Sequence, residues 1–320
     1  MRWGITVPLR GIALGAQRAV VERLADLGYT DAWSGEASGH DAFTPLAIIS
    51  QWAPGLRLGT AIAPIYTRGP GLLAMQAGTL ANLAPGRFVM GIGASSRTIV
   101  EDWNAGSMAA PLASTRDMVR FLRKALRGER VNEEYTTFAI RGFRLDTPPE
   151  TPPPLAVAAL RPRMLRLAAE ESEGAITNWV SAPDVVQVRA SAGPEVELLA
   201  RVYVVPTEDA DMARALARRQ VAAYLTVPGY AAFQEWLGRG PRLAAMGERW
   251  AAGDRRGALE AIDDEVVDEL VLWGSLKEIR DRVDEYRSNG VDTPIITILP
   301  PGPADEATWV SWLAGLAPPR

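Results

Sequence analysis

Residues Leu56 to Gly93 read LRLGTAIAPIYTRGPGLLAMQAGTLANLAPGRFVMGIG. This stretch holds one complete strand-helix-strand unit: a β-rich run from Leu56 to Ile62, a helix-length apolar stretch from Leu72 to Leu83, and a second β-rich run from Arg87 to Gly91. Short β runs alternating with amphipathic stretches of this length are the signature of a parallel sheet built from crossover units. The same beat extends in both directions. Toward the N-terminus, Trp3 to Val7 reads as a strand. Ala16 to Leu27 then reads as a helix, with Val20, Leu24 and Leu27 on one stripe and Gly28 as a stop. Thr30 to Ser34 is the next strand, and Phe43 to Trp52 the next helix. Toward the C-terminus, the helix Ser114 to Leu126 completes a fourth unit.

Between residues 130 and 147 the pattern changes. Phe138, Ile140, Phe143 and Leu145 sit among turn formers and predict an inserted hairpin. The proline cluster Pro148 to Pro154 forces an extended connector. The alternation then resumes with strands Leu155–Ala159, Gly174–Asn178 and Val196–Val205, separated by helices Met164–Glu171 and Asp184–Ala190. A helical excursion follows over about 207–272, from Asp209 to about Leu272. Ser275-Leu276-Lys277-Glu278 has the form of a capping box, so the last barrel helix is expected to begin there. Pro294 to Leu299 supplies an eighth strand, and Ala307 to Leu316 a closing helix. Eight strand-helix units within residues 1–320, with one hairpin and one helical insertion, predict a single α/β domain folded as a TIM (β/α)8 barrel. A doubly wound open sheet is disfavoured, because no Gly-x-Gly-x-x-Gly follows the first strand.

Composition removes whole classes of chemistry. The 320 residues contain no cysteine, which excludes thiolate catalysis, iron–sulfur ligation and disulfides. His40 is the one histidine, so no site needing two imidazoles can form, and no metal site is expected. Lys124 and Lys277 are the only lysines among 34 basic residues, and neither stands in a phosphate loop. A net charge of −4 with dispersed arginines offers no cationic face for a nucleic acid. No signal peptide and no membrane-length apolar run are visible, so a cytoplasmic protein without a membrane partner is expected. Redox chemistry, if present, has to be brought by a cofactor.

In such a barrel the reactive groups come from the C-terminal ends of the strands. Strand two runs into Ser34-Gly35-Glu36-Ala37-Ser38-Gly39-His40-Asp41, where Glu36, His40 and Asp41 are candidate acid-base groups. Glu36 reads equally as a cap for the helix near Phe43, and Asp41 reads as that cap more readily than as an acid-base group. Strand three runs into Thr60-Ala61-Ile62-Ala63-Pro64, small residues that admit a flat ligand close to the backbone. Strand four ends in Gly93-Ala94-Ser95-Ser96, whose N–H groups and hydroxyls can converge on a phosphate.

Taken in order, Leu27-Gly28-Tyr29, Ser34-Gly35-Glu36, Asp41-Ala42-Phe43-Thr44-Pro45-Leu46, Arg57-Leu58-Gly59-Thr60 and Gly86 to Gly93 resemble the bacterial luciferase-like superfamily. Gly93 to Ser96, Val100-Glu101-x-Trp103-Asn104, Val157 to Leu160 and Ile176 to Trp179 are similar to its branch that uses the deazaflavin coenzyme F420, including methylenetetrahydromethanopterin reductase-like proteins. The resemblance implies a luciferase-like TIM barrel, commonly a homodimer, with the deazaflavin ring at its mouth. It implies an F420-dependent oxidoreductase moving hydride between C5 of the coenzyme and a small organic substrate, for example an activated C=C or C=N bond. It places Thr60, Ala61 and Ile62 behind the ring, with a non-proline cis peptide at Ala61-Ile62. By the same match Gly93, Ala94, Ser95 and Ser96 lie near the coenzyme phosphate, and Ala159, Leu160, Thr177 and Asn178 on the other side. Glu36 falls beside the ring. Several members follow that acid with a histidine, whereas here Ala37 follows and His40 is three residues further on. An FMN-dependent monooxygenase is the alternative within the superfamily. A flavin-binding barrel without turnover is the alternative outside enzymology.

Overall fold

A computed structural model describes residues 2–319. Eight parallel strands close into a ring: β1 (Gly4–Thr6), β2 (Asp31–Ser34), β3 (Arg57–Thr60), β4 (Phe88–Gly93), β5 (Leu155–Ala158), β6 (Gly174–Asn178), β7 (Glu197–Val205) and β8 (Thr293–Ile298). Each is hydrogen-bonded to the next, and β8 pairs back onto β1 at Ile295 and Gly4. This is the TIM barrel that the strand-helix alternation predicts. Proline starts many of its helices, including Pro70–Leu83, Pro111–Leu126, Pro162–Glu171 and Pro228–Trp236, because a first-turn residue needs no N–H partner. The capping box at Ser275 and Glu278 forms and opens the helix Leu276–Ser288. No helix among the described residues is long and apolar enough to cross a membrane.

Alternate residues of each strand face inward and stack in layers. The middle layer is apolar: Trp33, Val89, Ala156, Ile176, Leu199 and Ile295 pack together. Trp33 occupies the axis because its neighbour is Gly59, where any Cβ would overlap the indole ring. Below it, at the N-terminal end of the strands, Arg57 pairs with Asp31 and forms a two-point ion pair with Glu197 at 2.8 and 2.7 Å. Thr293 donates a further bond to Glu197 at 2.6 Å. Arg57 pushes the Glu197 carboxyl below its usual range, overcoming the opposing effect of burial.

Three local expectations are corrected. The first helix shrinks to Arg18–Glu22, continued to Gly28 by isolated turns. The third strand stops at Thr60; after a cis peptide at Ala61-Ile62, Ala63–Pro64 pairs with β4 instead. The helical excursion ends at Leu270, and Val271–Trp273 is a strand paired parallel to Tyr203–Val205 of β7. The reason lies in β6. Trp179 takes a left-handed backbone (φ 57°) and turns the chain away, which leaves the upper edge of β7 open, and the 271–273 segment covers it. The inserted hairpin is Val131–Glu134 and Ala139–Phe143. It rests on the outer helices: Phe138 and Phe143 pack on Phe121, and Thr137 donates twice to Asp117.

Candidate active site

The C-terminal rim of the barrel gathers the small residues of β3, β4 and β5 into a platform. Ala61 and Ile62 follow β3, Gly93 ends β4, and Ala158 ends β5. A Cβ on Gly93 would lie 2.7 Å from the Ala158 Cβ and 3.3 Å from the Ile62 side chain, so glycine is needed for these strand ends to close up. Gly35 does the same at the end of β2, where a Cβ would lie 2.7 Å from the Ala61 carbonyl. The result is a mostly apolar shelf of small side chains, on which Ile62, Ala94 and Ala158 are half-buried. Thr60 sits beneath the shelf. Its hydroxyl donates to the Gly91 carbonyl at 2.7 Å and accepts the Gly91 N–H at 2.8 Å, so it buttresses the strand pair.

At one side of the shelf the chain turns through Ala94, Ser95 and Ser96. Ser95 adopts φ 66°, which bends the loop before a single π-helical turn, Thr98–Asp102. Ser96 accepts the Ile99 N–H on its hydroxyl at 3.3 Å and the Val100 N–H on its carbonyl at 2.9 Å. At the other side, the Ala159 N–H donates to the Ile176 carbonyl at 2.8 Å, and Leu160 is half-buried at the rim. Thr177 is buried. The Asn178 amide donates to the Tyr230 hydroxyl at 3.0 Å and its oxygen accepts the Trp179 N–H at 3.1 Å. The helical excursion therefore reaches the mouth, through Tyr230 and through Gln234, which donates to the Trp179 carbonyl at 2.7 Å.

The three acid-base candidates separate. Glu36 lies at the rim in a two-point ion pair with Arg68, at 2.9 and 2.8 Å. It also accepts the Ala42 N–H at 3.1 Å, while its own N–H donates to the Ile62 carbonyl at 3.2 Å. Asp41 accepts the N–H groups of Phe43 and Thr44 at 2.8 and 2.9 Å at the start of the helix Thr44–Trp52. Burial pushes its carboxyl up, but those N–H bonds and the nearby Arg68 outweigh it and hold the group below its usual range. His40 is exposed on the loop between them. Glu36 is thus the one candidate that touches the shelf, and Asp41 acts as the cap.

Two arginines at the mouth escaped the motif reading. Arg68 follows β3 by sequence but is placed by its ion pair with Glu36, across 32 residues. Arg201 lies on β7, whose inward set is Glu197, Leu199, Arg201 and Tyr203. A charge at an inward position of an apolar strand was the available signal. Tyr203 stacks on Trp179, with ring centroids 4.2 Å apart, and Tyr224 and Tyr230 complete an aromatic wall.

A flat ring is the kind of ligand these strand ends could admit, because Ala61, Gly93, Ala94 and Ala158 carry at most one side-chain carbon and let a ligand approach the backbone. The 94–96 loop suits the ring's phosphate-bearing tail. Away from the shelf, a groove of about 440 Å³ runs past Asp268, Glu269 and Arg282. Its charged walls pair with neighbouring side chains and backbone, through Arg214, Arg239 and the Asp268 carbonyl.

The sequence pattern described as luciferase-like monooxygenase matches residues 1–293. A Mycobacterium tuberculosis protein provisionally named a coenzyme F420-dependent oxidoreductase is 26% identical over 326 aligned residues, covering 92% of each chain. The 5,10-methylenetetrahydromethanopterin reductase of Archaeoglobus fulgidus is 26% identical over 299, covering 88% of this chain and 89% of its own. The solved coenzyme F420 dependent tetrahydromethanopterin reductase from Methanopyrus kandleri superposes with a TM-score of 0.79 at 19% identity, covering 99% of this chain and 98% of that one, a likeness of fold.

Proposed function

The chain belongs to the luciferase-like monooxygenase family, and on that premise we propose that it is a coenzyme F420-dependent oxidoreductase acting on a small organic substrate. The observation that carries this reading is the shelf of Ala61, Ile62, Gly93 and Ala158 at the barrel mouth, together with relatives named for that coenzyme. When bound, the deazaflavin supplies or takes up hydride at C5. Every other task falls to the chain. Thr60, Ala61 and Ile62 back the ring, and Gly93, Ala94, Ser95 and Ser96 receive the phosphate with N–H groups and hydroxyls. Ala159, Leu160, Thr177 and Asn178 close the opposite side, and the aromatic wall screens the reacting face from water.

Glu36 is the acid-base group of this proposal. Its two-point pairing with Arg68 and the bond from the Ala42 N–H hold its carboxyl in place at the edge of the shelf. His40, exposed on the same loop, stands in reserve, and Asp41 would first have to release the Phe43 and Thr44 N–H groups. Replacing Glu36 by Gln is expected to lower turnover strongly while coenzyme affinity stays within a few-fold; unchanged turnover would remove it from the mechanism.

Titration with oxidised F420 and separately with FMN, read by tryptophan fluorescence, tests the assignment. Clear preference for F420 is expected. Preference for FMN would make the protein a flavin monooxygenase of the same fold, and binding of neither would overturn the reading. A homodimer belongs to the proposal as well. Leu72, Met75 and Leu83, between 40% and 49% exposed, form an apolar stripe along the helix Pro70–Leu83. Light scattering after Met75→Glu is expected to report monomer where the parent chain reports dimer.

A further inference from the structure

Arg201 sits inside the barrel, one inward step above Leu199 of the apolar layer. No carboxylate among the described residues lies within ion-pair distance of it. Its Nε is closed off from solvent and has no hydrogen-bond partner. One terminal nitrogen reaches the Thr297 hydroxyl at 3.5 Å, the outer limit of a bond, and that hydroxyl is already shared with Thr6 at 2.7 Å. The guanidinium otherwise faces the Tyr203 ring, 5.4 Å from its centroid, with the Tyr224 hydroxyl in side-chain reach and the Tyr230 phenol nearby, all of them uncharged groups. The Tyr203 hydroxyl is buried and unpartnered too.

Other sheltered arginines of the chain are satisfied by acids or by backbone carbonyls, Arg87 by that of Leu56 and Arg282 by that of Asp268. Arg57 has Asp31 and Glu197, Arg68 has Glu36, and Arg239 has Asp184 and Glu269. A guanidinium taken out of water without a counter-charge is unfavourable, and the cost persists only where a ligand removes it or a function requires it. The guanidinium is also a planar fork that matches two oxygens of one carboxylate. Trp179, stacked on Tyr203, and the Leu199 layer below frame the guanidinium on two sides, while Arg201 as a whole is half-buried.

We propose that Arg201, with the Tyr203 hydroxyl and Thr297, binds a carboxylate or equivalent oxyanion on the substrate, so that the substrates of this barrel are organic acids. The inference deepens the proposed function by giving the substrate class of the same site. Arg201 is a specificity residue here: it anchors the acid group at the bottom of the mouth and leaves the reacting carbon nearer the shelf.

Benzoate and its neutral isostere benzamide are suitable probes. They would be titrated into the full-length protein without coenzyme and followed by calorimetry and by tryptophan fluorescence, to which Trp179 contributes. Benzoate is expected to bind at least about tenfold more tightly than benzamide. Arg201→Met is expected to abolish that preference and Arg201→Lys to keep part of it, with F420 affinity within about twofold in both. A parent chain without the preference, or a preference that survives Arg201→Met, would overturn the proposal. So would an F420 affinity that falls together with the preference, since Arg201 would then serve the coenzyme. Tyr203→Phe keeps the test decisive if Arg201→Met does not fold: benzoate affinity should drop several-fold, and an unchanged value counts against the subsite. If the parent chain shows the benzoate preference and binds no F420, the coenzyme assignment fails and the acid subsite stands.

Discussion

The barrel holds one arginine at the bottom of its interior and another near the top, and it treats them in opposite ways. Arg57 at the floor is locked between Asp31 and Glu197, lies 5.4 Å from the Trp33 ring, and is bound further by Thr293. Arg201 at the mouth has an aromatic ring, neutral hydroxyls and no acid. Both side chains face inward from parallel strands, so the difference is one of partners rather than of burial. A buried charge with all its partners holds strands together; a buried charge without them is available to a ligand. The same division runs through the rest of the interior. Floor and middle layers are filled to contact around Trp33, whereas the rim is built from residues too small to fill it.

The largest expected effect sharpens this contrast directly. Arg57→Met leaves buried Asp31 with only the longer contact to Arg2, at 3.4 Å, and strips Glu197 of its two-point ion pair; it is expected to cost about 3 kcal/mol in chemical denaturation. Arg201→Met removes a charge that has no partner and should cost no stability. Comparable losses in the two variants would break the comparison. Next in size is Gly59→Ala. A methyl there overlaps the Trp33 ring, and a destabilisation of about 1–3 kcal/mol is expected from overpacking, with a loss below that range showing that Trp33 can shift.

A smaller effect concerns pH. The Glu197 carboxyl is pushed up by burial but held, on balance, below its usual value by Arg57. Its contribution to stability is therefore complete above the unfolded value of about 4.3, and is lost as pH falls through the lower folded value. Glu197→Gln should flatten the fall of melting temperature below about pH 4; a slope equal to that of the parent chain would assign acid sensitivity elsewhere. Smallest is Ser95→Gly at the rim. Glycine accepts φ 66° without a Cβ conflict, so stability should stay within about 1 kcal/mol. Coenzyme affinity should weaken a few-fold if the hydroxyl is used. A large stability change with no effect on affinity would place Ser95 among the structural residues.

Much of this was readable along the chain. The apolar run at Gly174–Asn178 and the capping box at Ser275 and Glu278 are local signals, set within a few residues, and both elements formed where expected. The short segment Val271–Trp273 was not readable as a strand, since only the gap opened by the left-handed turn at Trp179 gives it a partner. The candidate site divides similarly. Glu36 and the small-residue loops lie at strand ends, where a barrel presents its reactive groups. That Glu36 is bonded to Arg68, and that Asp41 is occupied by the helix start, depend on how the loops come together.

By itself the sequence determined the barrel, because strand and helix periods, helix-starting prolines and strand-ending glycines act over neighbouring residues and are written at the positions they govern. Which arginine would be neutralised was decided by the tertiary structure alone. Arg57 meets Glu197 across 140 residues and two strands on opposite sides of the ring, and the closing of that ring leaves Arg201 with no acid to meet. Local patterns specify that a side chain is turned inward; its charge balance depends on what the other seven strands bring to the same layer.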